Sequence, residues 1–369
     1  MSKLTSSTRA WGSPSRYIQG RRELDHLREY TEAYGKKVFI VIDVFFFDEL
    51  RAKFEKMFAG SESSVLCEKF GGQITEEEIL RCTKVAESIH PDVVVGIGGG
   101  KTMDTAKAVA DNYKAATVIV PTTASTDAPA MGLSVIYTAA GEHVGARHYN
   151  KNPDLVLLDT EIIAKAPIRF LVAGMGDALS TWIETRANAQ SHEPSYVGRG
   201  FEQTIAVQAI AKACHETVLS KGVSAKLAAE KGLCTKDVED VIEANTLLSG
   251  LGVQNSSCAG AHSIAEGITV LAPCAKLLHG EVVAFGILVQ LIVEGADSDE
   301  ISQMYDFFEA VGLPTTFADL GIAGASDEDI LRVAKASMHS YWDVEPFTVN
   351  PQMIFDGIRM ADTLGELRK

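Results

Sequence analysis

Val93-Val94-Val95-Gly96-Ile97-Gly98-Gly99-Gly100-Lys101-Thr102 decides how the chain is read. Consecutive valines announce a strand buried on both faces, and the glycines after them run straight into a helical pattern over Thr102 to Asp111. Strand, glycine turn and helix in that order present free backbone N–H groups at a helix start. Without Cβ atoms the backbone can approach a pyrophosphate closely, and the helix end adds partial positive charge. Two familiar phosphate patterns fail here. A Walker A loop needs a glycine where Val95 stands, and the Rossmann pattern needs one where Lys101 stands. The loop reads as a phosphate cradle of another type, or else as a simple tight turn.

Working outward, Val38 to Asp43, Ser64 to Cys67, Thr117 to Pro121 and Asp154 to Asp159 are further β-rich, unalternated runs. Helical patterns at about Phe46 to Met57 and Glu76 to Ile89 lie between them, so the region predicts βαβ units and a mostly parallel sheet. After Asp159 the strand signals stop. From Ile162 onward the chain has helical spacing, as in Asp177 to Ala189, Phe201 to Leu219, Val238 to Leu251 and Val282 to Glu294. The expected fold is an α/β N-terminal domain, Rossmann-like and dinucleotide-binding, over residues 1–162. An all-α domain follows over residues 163–369, the change of character falling near Ala166-Pro167. In such an architecture ligands are expected in the cleft between the domains, outside the carboxyl ends of the strands.

Composition removes several function classes. The 369 residues are 46% hydrophobic, enough for two cores. A formal charge of -15 and a pI near 5.1, with no basic stripe, argue against nucleic acid and anionic membrane surfaces. Apolar runs such as Val282 to Val293 fall short of a membrane span. The six cysteines form no close pairs and read as reduced thiols of a cytoplasmic protein. Met1 to Arg9 is rich in Ser and Thr without an apolar face and reads as a disordered tail.

Asp43 ends the first long strand. A carboxylate there can hold the adenosine ribose hydroxyls and repel a 2′-phosphate, favouring NAD, although taken alone it reads first as an ordinary turn or helix-cap residue. Pro121-Thr122-Thr123-Ala124-Ser125-Thr126-Asp127-Ala128-Pro129 offers hydroxyls for a dinucleotide's phosphates and amide, and a carboxylate for a polyhydroxy substrate. Asp177, His262 and His279 each stand at the expected mouth of a helix and together offer a divalent metal three ligands. Spacing alone leaves Asp177 open as an N-cap and each His as a packed residue.

Several of these motifs, in fixed order, resemble glycerol dehydrogenase, of the metal-dependent, iron-containing alcohol dehydrogenase superfamily. They are Phe39 to Asp43, Gly98 to Thr102 with Asp104-Thr105-Ala106-Lys107, Thr122 to Pro129, Leu133 to Tyr137, Gly174 to Asp177, Glu243 to Thr246, Ala261-His262 and His279-Gly280-Glu281. The resemblance runs from Tyr17 to Pro314. It implies one zinc ion per subunit on Asp177, His262 and His279, and NAD contacts from Asp43, Gly98, Gly99, Gly100, Lys101, Thr102, Thr122, Thr123, Ser125, Met131, Leu133 and Tyr137. It also implies that Asp127 is the catalytic carboxylate, reaching a substrate that Asp177, His262 and His279 help to bind. A ring-like homo-oligomer such as an octamer is implied too.

In iron-using relatives a His follows the Asp by one helical turn, where this chain has Thr181, so three protein ligands remain and a position stays open for substrate. Ala265 replaces the second His usual in glycerol dehydrogenases, which leaves the proton's route unassigned. The expected reaction is NAD-dependent oxidation of glycerol to dihydroxyacetone. Alternatives are propane-1,2-diol, a 2-hydroxy acid, or a lyase resembling dehydroquinate synthase. No Lys or Arg stands between Lys236 and Lys276, which favours an uncharged substrate over a phosphorylated one.

Overall fold

The structure is a computed structural model that describes residues 7–198, 200–338 and 341–369. The tail expected at the N-terminus falls largely on residues 1–6, outside the described residues. Contacts divide the chain into two units.

The first unit, Gly12–Ala166, is built from strands β1 (Tyr17–Gly20), β2 (Lys37–Ile42), β3 (Ser64–Lys69), β4 (Val93–Gly98), β5 (Ala116–Pro121), β6 (Leu133–Tyr137), β7 (His143–His148) and β8 (Leu155–Asp159). Its helices are α1 (Leu27–Glu32), α2 (Phe47–Phe58), α3 (Glu76–Ala86), α4 (Gly100–Tyr113) and α5 (Thr160–Lys165). Among the described residues six strands make one parallel sheet in the order β1-β8-β5-β4-β2-β3. Alternate residues of the central strands enter two different cores. Val38, Ile40, Ile42, Val93, Val95 and Ile97 pack with Leu50, Phe54 and Phe58 of α2, while Phe39, Val41 and Val94 pack with Cys82 and Ala86 of α3 and Ala106, Val109 and Ala110 of α4. Burial on both faces is why these strands carry no hydrophobic alternation.

Two features depart from the expected pattern. β1 is an edge strand of four half-buried residues, too short to give a signal. β6 and β7 form an antiparallel hairpin in which β7, His143–His148, is largely exposed and polar. Its sequence does not read as a strand because little of it meets a core.

The second unit comprises Pro167–Lys369 together with residues 7–11, whose Arg9 bridges Glu202. Relative to the expected 1–162 and 163–369 division, α5 therefore stays with the sheet and residues 7–11 pass to the helices. Its helices are α6 (Ile168–Ser191), α7 (Ile205–Ala229), α8 (Lys236–Glu243), α9 (Ser249–Asn255), α10 (Gly260–Gly267), α11 (His279–Glu294), α12 (Ser298–Val311), α13 (Asp327–Ser337) and α14 (Pro351–Glu366). A π-helical turn, Ala244–Leu248, joins α8 to α9 in place of one regular helix. α11 is buried along most of its length and correspondingly apolar all round, the mark of a central helix. Among the described residues no helix is long and apolar enough to cross a membrane. All six cysteines are free, and Cys82, Cys214, Cys258 and Cys274 are buried.

Candidate functional site

In the sheet unit the glycine loop connects β4 to α4 with Gly99 as N-cap, and no side chain caps the helix. A Cβ at Gly98 would lie 2.7 Å from Thr102 Oγ1 and 2.9 Å from Asp43 Cβ, so the close approach of β2 to the loop requires glycine. A Cβ at Gly99 or Gly100 would meet nothing within 4 Å. The helix start thus faces open space, and its uncapped N–H groups suit a diphosphate.

Asp43, Gly98, Thr102 and Thr122 come together at the carboxyl ends of β2, β4 and β5. Asp43 Oδ2 accepts from the Thr102 hydroxyl at 3.4 Å, Asp43 Oδ1 accepts from the Phe45 amide at 2.9 Å, and the Thr122 amide donates to the Gly98 carbonyl at 3.1 Å. Lys101 Nζ sits 5.5 Å from the centre of the Tyr137 ring, and the Thr123 and Ser125 hydroxyls are 3.2 Å apart. Asp127 precedes a short 3-10 turn, Ala128–Ala130; buried Met131 follows, and Leu133 opens β6.

In the helical unit, Asp177, His262 and His279 converge, but not as helix mouths in every case. Asp177 lies in the middle of α6, which begins at Ile168, so the N-cap reading of Asp177 is corrected; His262 is the third residue of α10 and His279 the first of α11. Gly174 and Gly176, which precede the expected helix start at Asp177, stand inside the helix. The reason is packing. A Cβ at Gly176 would lie 2.3 Å from the Gly280 carbonyl, and one at Gly280 would lie 1.8 Å from the Ala173 carbonyl. α6 and α11 therefore touch backbone to backbone, beside Asp177 on one helix and His279 on the other.

Nε2 of His279 is 3.3 Å from Asp177 Oδ1 and 3.4 Å from Nε2 of His262, which is 3.8 Å from Asp177 Oδ1. A tetrahedral ion bound at about 2.0–2.1 Å needs donors roughly 3.3–3.4 Å apart, so the three fit one divalent ion. Asp177 is buried, and the His279 side chain is 47% exposed, which leaves the site open on that side.

Glu184 was not read from the sequence. It lies seven residues after Asp177, two turns along the same face of α6, and is fully buried. Its Oε2 accepts from His262 Nδ1 at 2.7 Å, and its Oε1 accepts from the amides of Ala259 at 2.8 Å and His262 at 3.0 Å. In the neutral ring this keeps the proton on Nδ1 and makes Nε2 the nitrogen offered to the ligand cluster. The only two acids of α6, seven residues apart on one face, were the signal available. Thr181 does not extend the ligand set; its hydroxyl pairs with that of Ser249 at 2.9 Å.

Other side chains anchor the two His-bearing helices. Gln290 Oε1 accepts from the Ala261 amide at 2.7 Å, and Glu281, gripped by both ends of Arg169 at 2.6 and 2.7 Å, accepts from the Leu278 amide at 2.8 Å. Burial opposes charge on His262, but Cys258 and Glu184 outweigh it and raise the ring's pKa well above the ordinary imidazole value, so a cation taken up at Nε2 must displace a proton there. Behind α10, burial and the neighbouring Glu294 push the Glu345 carboxyl up to about 8.

A parallel-sheet unit with a phosphate-ready glycine loop and a helical unit with two imidazoles and a carboxylate around one point define a class: metal-dependent oxidoreductases that use a nicotinamide dinucleotide. Residues 14–160 match the iron-containing alcohol dehydrogenase family. The chain is 46% identical over 360 residues to glycerol dehydrogenase of Thermotoga maritima, covering 96% of this chain and 97% of the relative. It is 39% identical over 360 residues to glycolaldehyde reductase of Halobacterium salinarum, covering 97% and 98%. The crystal structure of glycerol dehydrogenase from Schizosaccharomyces pombe superposes with a TM-score of 0.92 at 36% identity, covering 99% of this chain and 93% of that one. The chain belongs to the iron-containing alcohol dehydrogenase family and is an NAD-dependent alcohol oxidoreductase.

Proposed function

We propose that this enzyme oxidises glycerol and similar small vicinal diols, converting glycerol to dihydroxyacetone with NAD and zinc. The single observation that carries the reading is the convergence of Asp177, His262 and His279 with Glu184 behind His262. Two imidazoles and one carboxylate, with no fourth protein ligand from Thr181, are the donor set of a catalytic zinc. Zinc held there would polarise a substrate hydroxyl and lower its pKa.

The residues of each unit then have separate tasks. Glu184 keeps His262 in the tautomer that presents Nε2, and Arg169 with Glu281 fixes the start of α11 and hence His279. In the sheet unit, here assigned to NAD, the uncapped start of α4 takes the pyrophosphate and Asp43 takes the adenosine ribose. The segment from Thr122 to Tyr137 serves the nicotinamide end, with Asp127 accepting a substrate hydroxyl. NAD held by the sheet unit would supply the hydride acceptor for the substrate carbon, and the hydroxyl must give up a proton that Ala265 cannot carry. A neutral diol suits the absence of Lys and Arg from 237 to 275. A ring-like homo-oligomer belongs to the same reading, as the motif resemblance implies.

The test is NADH formation over glycerol, propane-1,2-diol, 2-hydroxy acids and, in reverse, glycolaldehyde, on protein of measured metal content reconstituted with zinc or iron. Glycerol with zinc should give the highest kcat/KM. Turnover retained in His262→Ala without bound metal would sink the mechanism.

A further inference from the structure

Asp104 and Lys107, from the motif that follows the glycine loop, have no task in the reading so far. They stand one turn apart on α4, 5% and 3% exposed. A buried ammonium is costly unless its donors are matched. Lys107 has three donors and meets three acceptors: Asp104 Oδ1 at 3.0 Å, the Ala128 carbonyl at 2.6 Å and the Leu133 carbonyl at 3.1 Å.

Asp104 grips the same segment. Its Oδ2 accepts from the Val135 amide at 2.9 Å, and its carbonyl accepts from the Ser134 hydroxyl at 2.8 Å, which in turn accepts from the Tyr149 hydroxyl at 2.9 Å. The bonds from this pair thus tie α4 to residues 128–135, while the apolar residues Ala106, Val109 and Ala110 of the same helix pack on the sheet. A buried ion pair adds less stability than an apolar pair of similar volume, and its gain is a defined arrangement. What it defines here is the register between the start of α4 at Gly100 and the segment that carries Met131, Leu133 and Tyr137.

We propose that Asp104 and Lys107 are positioning residues for the cofactor: they lock the Asp127 to Tyr137 segment to the glycine-loop helix, so that the nicotinamide end of the dinucleotide is held in register with its pyrophosphate. The proposal rests on the assignment of the sheet unit to NAD. It predicts an asymmetry. ADP-ribose, which lacks nicotinamide, uses only the glycine loop and Asp43 and does not feel the clamp.

The experiment compares NAD and ADP-ribose affinities of the metal-loaded enzyme and its Lys107→Met variant. Lys107→Met should weaken NAD by about tenfold or more, raise its KM in step and leave ADP-ribose within about threefold, with metal content unchanged. Lys107→Arg, which keeps the charge and donors, should recover part of the loss. Equal weakening of both nucleotides, or of neither, overturns the clamp. Should Lys107→Met fail to fold, the double variant Asp104→Asn with Lys107→Gln, neutral at both positions, replaces it. In the unaltered enzyme, amide exchange over residues 128–137 should slow with NAD and not with ADP-ribose; equal slowing overturns the proposal as well. Wild-type protein that binds neither nucleotide overturns the dinucleotide assignment and the clamp together, whereas wild type that binds both and variants that bind as it does overturn the clamp alone.

Discussion

The cradle of the sheet unit and the ligand cluster of the helical unit are assembled in opposite ways. The cradle is local: Gly98, Gly99, Gly100 and Thr102 are consecutive or nearly so, and Asp43 and Thr122 join them because neighbouring parallel strands end at one level. The cluster is remote. Asp177 and His279 are 102 residues apart, on helices that meet because glycines let their backbones touch. A local site tolerates change in its surroundings; a remote one depends on every contact that aligns its helices.

The largest effect should therefore follow a substitution that touches no ligand. Gly280→Ala would place a methyl 1.8 Å from the Ala173 carbonyl. A backbone neighbour cannot give way as a side chain can, so α11 must shift and His279 with it. Metal content and turnover should both be lost, while ADP-ribose binding, proposed for the sheet unit, should persist. Full metal occupancy in Gly280→Ala would break the contrast.

Glu184→Gln should come next. It keeps shape but weakens the hold on His262 Nδ1, and loss of such an outer partner typically costs about 10–100-fold in metal affinity or activity. Metal titration against a chelator measures it; an unchanged affinity would remove Glu184 from the site.

On the cradle side, Gly98→Ala would press on Thr102 and on the Cβ of Asp43, so the loop must shift away from the end of β2. Overpacking of this kind costs about 1–3 kcal/mol, so NAD should weaken by roughly 5- to 150-fold with metal binding intact. Calorimetric titration with NAD decides this.

Glu345 should affect turnover least and the pH dependence of stability most. Its folded pKa is raised to about 8 from an ordinary value of 4.5, so the folded state prefers the protonated acid. That contribution is complete below the ordinary value and is lost as pH rises through about 8, a change on the order of a few kcal/mol. Melting temperature should fall between those limits, and Glu345→Gln should flatten the fall. An equally steep fall in the variant would assign it to other groups.

The sheet unit was largely legible because each central strand is buried on both faces and each helix beside it is amphipathic. β1 and the β6–β7 hairpin were not, since short edge or exposed strands leave no hydrophobic signature. In the helical unit the helices at Asp177 to Ala189 and Val282 to Glu294 were found, but α6 starts at Ile168, because Gly176 serves close packing against α11 rather than termination. Asp177, His262 and His279 could be named as a ligand set only through the motif resemblance, since spacing left each of them open, and the same holds for the roles of Asp43, Gly98 and Thr102. Glu184, Gln290 and the Arg169–Glu281 pair could not be assigned roles, since hydrogen bonds between distant helices have no periodic trace in a sequence.

By itself the sequence determined the two-part architecture, the glycine loop and the residue types able to bind metal, because local periodicity, glycine conformation and donor chemistry are properties of short stretches. Only the tertiary structure decided that the three donors meet within 3.3 to 3.8 Å, that Glu184 sets a tautomer, and that Lys107 clamps a loop. Those outcomes depend on how closely helix backbones approach, and an approach of a few ångströms is set by packing between residues far apart in the chain.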